Sequence, residues 1–390
     1  MFFKRISWIV VLLAFCTTAL AAEKKVLRKA KMRSGPGVYY AIVERINKGA
    51  KLSVIEDKAR WIKVETSSGK QGWVSSKVFK EQKGASGYGQ VLMEEGLSGA
   101  STTVVTMAAR GLTSAQGFGG SGADPLLMEF LLRTAFRPEG FGDFLEKLAP
   151  QSCQVYLQTL EGSTQTQGDP ELDELERRLG LALAQKVLSE AVLITDPVID
   201  DYINKVGMAV ALHSSRYDLS WRFVVFKAEK ADAFAVPGGF VFISSGLLEK
   251  LSDEAELAGV LGHEVAHVAL GHGSAELRSA IGRMHAASKS SKADFDKIVA
   301  ESYRMIRAPR SRQSELEADA LGQVLATCAG YDSKALERVF ERLGKFEPSG
   351  PDHPTLQTRI TELTKIRKAA KLPGGATLKS RFEKKLAASK

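Results

Sequence analysis

The run from Leu257 to Leu270, LAGVLGHEVAHVAL, is apolar or small on nearly every side. A helix of that composition belongs in a core, because it has no polar face to turn toward solvent. It nevertheless carries His263, Glu264 and His267. Unpaired polar groups are costly to bury, so the fold must bring partners to all three. Residues four apart share a helix face, which lets both imidazoles bind one metal ion, with Glu264 beside them to polarise a metal-bound water. The chain has only six histidines, and its composition gives H-E-x-x-H by chance at about the one-per-cent level. Ser252-Asp253-Glu254-Ala255-Glu256 reads as the start of this helix, with a cap and acids in the first turn, and Gly271 as its stop.

A catalytic zinc takes three protein ligands and keeps one position open. His272 follows His267 by five residues, but the metzincin pattern needs six and a glycine where Leu270 stands. The other candidates lie in Ser311-Arg312-Gln313-Ser314-Glu315-Leu316-Glu317-Ala318-Asp319, the opening of a second apolar-patterned helix. Glu315 and Asp319 are four apart and share a face, so one carboxylate can bind the metal while the other accepts a ligand histidine's free ring N–H. Glu317 is expected to point into solvent.

HEVAH, the downstream SRQSELEADALG and the upstream ADAFAVPGGFVFISSGLLEKLSDEAELAGVLGHE together resemble the HtpX-like zinc metallopeptidases over roughly residues 180 to 365. That family includes prenyl-protein endopeptidases and soluble periplasmic proteases that police outer-membrane assembly. The resemblance implies one Zn2+ per chain, held by His263, His267 and Glu315, with Glu264 as general base and Asp319 supporting a ligand histidine. It also implies a mainly α (α+β) gluzincin-type domain with a small, edge-exposed sheet. The family usually has Asn where this chain has Asp232, a departure outside the metal motifs.

Two more segments bear on chemistry. Trp221–Phe226 and Gly239–Ser244 read as strands, and Pro237-Gly238-Gly239 as a turn between Ala233-Phe234-Ala235 and the second of them. Phe234, Ala235, Gly238 and Gly239 are candidates for a sheet edge that takes substrate as an added strand; a plain core hairpin is the alternative. HPTLQTRI resembles the HP…R segment of the periplasmic members, and three roles fit His353 between its prolines. It could stabilise the tetrahedral intermediate, occupy the open zinc position and silence the enzyme, or simply cap the following helix.

The rest of the chain supplies address and context. Lys4 and Arg5, the apolar Ile6–Phe15 and Ala19-Leu20-Ala21 read as a signal peptide over residues 1–22, too short for a span. Phe15 stands where lipidation of Cys16 needs a small residue. Cys153 and Cys328 remain, free to pair in an oxidising compartment but no disulfide framework. Residues 23–82 carry short β-rich runs around Val43, Leu52–Val54, Trp61–Val64 and Trp73-Val74. With the RSGPG turn and Gly-Trp-Val strand they resemble an all-β bacterial SH3-like barrel. Such a barrel implies peptidoglycan or an envelope protein as partner, through exposed aromatics such as Tyr39, Tyr40 and Trp61.

Residues 83–170 are a Gly/Ser-rich linker with an apolar helix at Leu126–Phe136 expected to dock on the peptidase. The metallopeptidase domain is expected over 171–365, opening with helices at Pro170–Ala191 and Pro197–Leu212. Residues 366–390 read as a solvated basic tail. The net charge is +9, and Lys365–Lys390 alone carries roughly +8 of it, which argues against nucleic acid and leaves membrane contact at most peripheral. The expected function is a secreted or periplasmic zinc endopeptidase that hydrolyses unfolded or misassembled envelope proteins. The alternative is an envelope chaperone or assembly scaffold whose metal-stabilised peptidase domain is largely silent.

Overall fold

In the computed structural model, residues 22–37, 40–58, 60–80, 130–131, 133–149, 160, 170–272, 292–308, 310–343 and 354–388 are described. The signal segment 1–21, most of the expected linker, Tyr39, Cys153 and His353 lie outside them. The chain divides into two compact units, Met1–Gly37 with Ala41–Glu81, and Val38–Tyr40 with Gln82–Lys390.

The first unit is a six-stranded antiparallel sheet: β1 (Glu23–Lys25), β2 (Ala30–Arg33), β3 (Ile42–Ile46), β4 (Lys51–Lys58), β5 (Trp61–Glu65) and β6 (Gln71–Ser75), in the order β1-β4-β5-β6-β2-β3. A short 3-10 turn, Ser76–Phe79, is capped by the Ser75 hydroxyl. Val26, Met32, Ile46, Leu52, Ile62, Val64, Val74 and Val78 form its core. All the expected β-rich runs are strands. β1 and β2 were not legible, because EKK and AKMR lack the β-branched and aromatic residues that mark a strand. Trp61 is buried rather than presented to a ligand; among the described residues of this unit the exposed large apolar side chains are Ile42, Val43 and Ile55.

The second unit is helical around a small sheet. α1 (Phe141–Glu146), α2 (Pro170–Glu190) and α3 (Pro197–Ala211) come first. α3 starts where Asp196 accepts from the N–H groups of Val198 and Ile199, with Pro197 in the first turn, where a missing N–H costs nothing. β7 (Arg222–Phe226), β8 (Ala233–Val236) and β9 (Phe240–Ser244) form a sheet of order β7-β9-β8, with β9 parallel to β7 and antiparallel to β8. α4 (Ser245–Lys250), α5 (Glu254–Leu270), α6 (Lys292–Arg307) and α7 (Arg312–Cys328) follow, then α8 (Ala335–Leu343), α9 (Leu356–Ala369) and α10 (Lys379–Ala387). Among the described residues no helix is long and apolar enough to cross a membrane.

The capping signals act where the sequence puts them. Asp253 accepts from the Glu256 N–H at the start of α5, Gly271 takes a left-handed conformation at its end, and Ser311 accepts from the Ser314 N–H before α7. The core wraps the α5–α7 pair with residues such as Leu257, Leu261, Val265, Leu321 and Leu325. A second cluster on the other face of the sheet includes Phe226, Phe234, Phe240 and Phe242. Phe130 joins it, stacked 6.3 Å from Phe240, so the described end of the Leu126–Phe136 segment does dock on this unit. Cys328 is buried and disulfide-bonded, and its partner falls outside the described residues.

One expectation is overturned. Residues 366–390 are not a solvated tail: α10 packs Phe382 into the core and sends Arg381 to the buried Glu254 carboxylate. Net charge hid this, because one arginine and one phenylalanine dock the helix while its lysines stay in water.

Candidate metal centre

α5 and α7 pack face to face, and their first polar consequence is a convergence of donors. His263 Nε2 and His267 Nε2 lie 3.0 Å apart on the same face of α5. From α7, Glu315 brings its carboxylate oxygens to 3.6 Å from His263 Nε2 and 3.4 Å from His267 Nε2. One atom of each residue fits within a sphere where all lie under 4.8 Å apart, and all three residues are buried or nearly so. The edge of a tetrahedron around zinc, with bonds of about 2.0–2.1 Å, is about 3.3–3.4 Å. The separations here are of that order, so the three side chains could each offer one donor to such an ion. Two imidazole nitrogens this close can share one proton, or both can turn a lone pair to a cation, which is the arrangement a metal would use. His, His and carboxylate is also the donor set of a hydrolytic zinc with one position open.

Asp319, one turn further along α7, lies 2.9 Å from His263 Nδ1, a contact bent away from hydrogen-bond alignment. Its two oxygens accept from Arg359 of α9, at 2.7 Å from Nε and 2.6 Å from Nη2. The same guanidinium comes within 3.4 Å of Glu315 and stacks on Phe340. Arg359 thus anchors two of the three carboxylates of α7, Glu315 and Asp319. It belongs to the HP…R segment noticed in the sequence, yet no role for it could be read there, since 40 residues separate it from Asp319.

Burial and charge set the protonation of these groups. Burial pushes His267 well below the ordinary imidazole value. Burial works the same way on His263, but contact with Asp319 and the charges of Asp319 and Glu315 prevail and raise it. Burial opposes ionisation of Glu315, whereas the His267 hydrogen bond and the charges of His263, His267 and Arg359 hold it well below the carboxylate range. Asp319 is lowered in the same way against burial, chiefly by Arg359. Glu264 differs: burial raises it, with the charges of His263 and Arg310 opposing. Their neighbours thus hold Glu315 toward its anionic form and favour a proton on His263.

Other sequence expectations meet the structure less simply. Glu317, expected in solvent, is half-exposed, and its Oε2 lies 3.1 Å from His272 Nε2. His272 is no metal ligand here; its Nδ1 lies 2.8 Å from His267 Nδ1, on the ring side away from Glu315. Phe234 and Ala235 lie on β8, one of the two outer strands of the sheet, with Phe234 turned into the aromatic cluster and Ala235 toward the α5 side. Gly238 and Gly239 are not on the strand; they make the β8–β9 turn with φ of 84° and 92°. Asp232, just before β8, pairs with Arg307 of α6 at 2.9 Å, and that guanidinium lies over the Phe234 ring.

Comparison with known proteins gives the arrangement a family. Residues 197–367 match Peptidase family M48, and residues 28–80 match the bacterial SH3 domain. The helical unit of this chain thus contains a segment similar to the M48 peptidases. A putative beta-barrel assembly-enhancing protease of Vibrio cholerae is 29% identical over 224 residues, 52% of this chain and 45% of the relative. The mitochondrial metalloendopeptidase OMA1 of Arabidopsis thaliana is 33% identical over 158 residues, 38% of this chain and 32% of the relative. Metalloprotease LoiP of Escherichia coli is 30% identical over 156 residues, 36% of this chain and 60% of the relative. The chain thus spans less than half the length of the first two. The M48 match takes in every residue of the converging site, from Asp232 through Arg359.

Proposed function

We propose that this chain is a gluzincin-type zinc endopeptidase of the periplasm or cell exterior, acting on unfolded or misassembled envelope proteins. The observation that carries the reading is the convergence of His263 Nε2, His267 Nε2 and the Glu315 carboxylate beside a buried Glu264. Zinc held by those three residues supplies Lewis acidity and an activated water. Glu264 takes the proton of the attacking water and hands it to the leaving amine; a carboxyl raised by burial holds a proton more readily near neutral pH. Asp319, itself fixed by Arg359, orients His263.

The substrate, in this reading, lies along β8 as an added strand, with Phe234 and Ala235 on the edge and the turn at Gly238 and Gly239 bounding it. His353 is assigned to the open face of the metal, as intermediate stabiliser or as a resting ligand. Loss of its side chain separates these: His353→Ala raises peptidase activity in the second case and lowers it in the first. The peptidase domain is taken as 171–365, the SH3-like domain as 23–82, with peptidoglycan or an envelope protein as its partner. A cleaved signal over residues 1–22 gives the export route. The names of the relatives, proteases of β-barrel assembly among them, support the substrate class.

The test is hydrolysis of an unfolded polypeptide by zinc-loaded wild type and Glu264→Gln. The variant should fold, keep its zinc and lose at least about 100-fold in rate, the scale of a lost general base. If it does everything the wild type does in the cell, the domain acts instead as a chaperone or scaffold.

A further inference from the structure

We propose that His272 and Glu317 form a proton-directing pair that locks His267 in its metal-binding tautomer; this rests on the metal reading above. Nothing in the proposed reaction uses either residue. To offer a lone pair from Nε2, His267 must carry its ring proton on Nδ1. The atom 2.8 Å from that Nδ1 is His272 Nδ1, which must then be unprotonated and accept. His272 accordingly carries its proton on Nε2, where Glu317 Oε2 waits at 3.1 Å. A carboxylate can only accept, so it fixes the direction of every proton back to His267. Glu317 is itself steadied, its other oxygen accepting from Gln313 Nε2 at 2.8 Å.

Local backbone geometry builds this contact. Five residues along a continuous helix would carry His272 past the His267 face. Gly271, with φ 72° and ψ 24°, ends α5 instead, its N–H bonded to the carbonyls of His267 and Val268. That left-handed step folds the next side chain back under His267. The two histidines are thus supported differently: His263 by an anion locked to Arg359, and His267 by a second imidazole backed by a half-exposed carboxylate.

Outer partners of metal-bound histidines typically contribute about 10–100-fold to metal affinity. The full-length protein, stripped of metal, is titrated with Zn2+ against a chromogenic chelator. His272→Phe removes the acceptor and should weaken zinc by about 10–100-fold, whereas His272→Gln keeps an acceptor and should restore most of the affinity. Glu317→Lys replaces acceptor by donor; in 15N-histidine spectra it should move the His272 proton to Nδ1 and weaken zinc. High salt, which screens a bare charge effect, should not reverse this loss. The half-exposed position 317 keeps the test available if His272→Phe does not fold. Zinc affinity within about twofold of wild type in the variants that fold, or a His272 proton already on Nδ1 in the wild type, overturns the pair. A wild type that binds no stoichiometric zinc overturns the metal reading and the pair together.

Discussion

Glu264, Glu315 and Asp319 share one chemistry in one buried region, and their neighbours divide their work. Glu315 and Asp319 face imidazoles and the Arg359 guanidinium and stay ionised, whereas burial dominates at Glu264 and raises it. Spacing along the chain identified all three, because four-residue periodicity is a property of the helix itself. It could not supply Arg359 or the His272–Glu317 contact, which depend on how elements cross. A fourth carboxylate, Asp200 in the first turn of α3, is buried with no aligned hydrogen-bond partner, 3.5 Å from the Arg133 guanidinium. Burial pushes it up to about 6, with the Arg133 charge opposing. Since its unfolded value is 3.8, the folded chain holds an extra proton between these values, and stability falls as pH rises through that window. Asp200→Asn removes the penalty. Relative to wild type it should gain roughly 1–3 kcal/mol between pH 4 and pH 7. Melting at the two pH values checks this; an equal difference at both would refute it.

At the scale of elements, the site depends on how closely α5 and α7 approach. The crossing is at Gly262 and Gly322: a Cβ on Gly322 would come within 2.6 Å of His263 N and 2.8 Å of Gly262 C. Both are backbone atoms and cannot swing aside, so a methyl group there must push the helices apart. Gly322→Ala should therefore cost about 1–3 kcal/mol. It should also weaken zinc binding, because Glu315 and Asp319 ride on α7 while His263 rides on α5. Calorimetry with chelator competition tests it, and wild-type affinity would show that the crossing tolerates separation. Both helices, with their caps at Asp253, Gly271 and Ser311, were legible from local signals. The two crossing glycines were not, since a lone glycine inside a helical pattern does not say what approaches it.

Across the whole helical unit, the far end of the chain returns to α5. Glu254, fully buried in the first turn of α5, accepts from Tyr202 of α3 at 2.9 Å and from Tyr331 after α7 at 2.8 Å. Arg381 of α10 pairs with both its oxygens, donates to the Phe144 carbonyl and stacks on that ring. Three distant segments thus meet on one carboxylate at the head of α5, and Arg381 ties α1 to them. Arg381→Ala leaves that charge buried without its cation and should cost about 3–5 kcal/mol. Adding Glu254→Gln should recover much of it, as a neutral amide needs no counter-ion. Chemical denaturation of the single and double variants decides: additive losses would mean that the pair is not the cause.

What the sequence by itself determined is everything whose signal is local: the buried H-E-x-x-H helix, the E-x-x-x-D face four residues apart, the caps, the β8–β9 hairpin and most strands of the first unit. These follow from backbone periodicity and from side chains bonding within three or four positions of themselves. Tertiary structure alone decided which outside groups serve that site, namely Arg359 behind Asp319, His272 and Glu317 behind His267, and Arg381 beneath Glu254. It also turned a run of positive charge, legible only as a soluble tail, into a docked helix. Charge is a sum over residues, whereas docking needs one arginine and one phenylalanine to find a buried acid and an apolar pocket, and no local pattern encodes that.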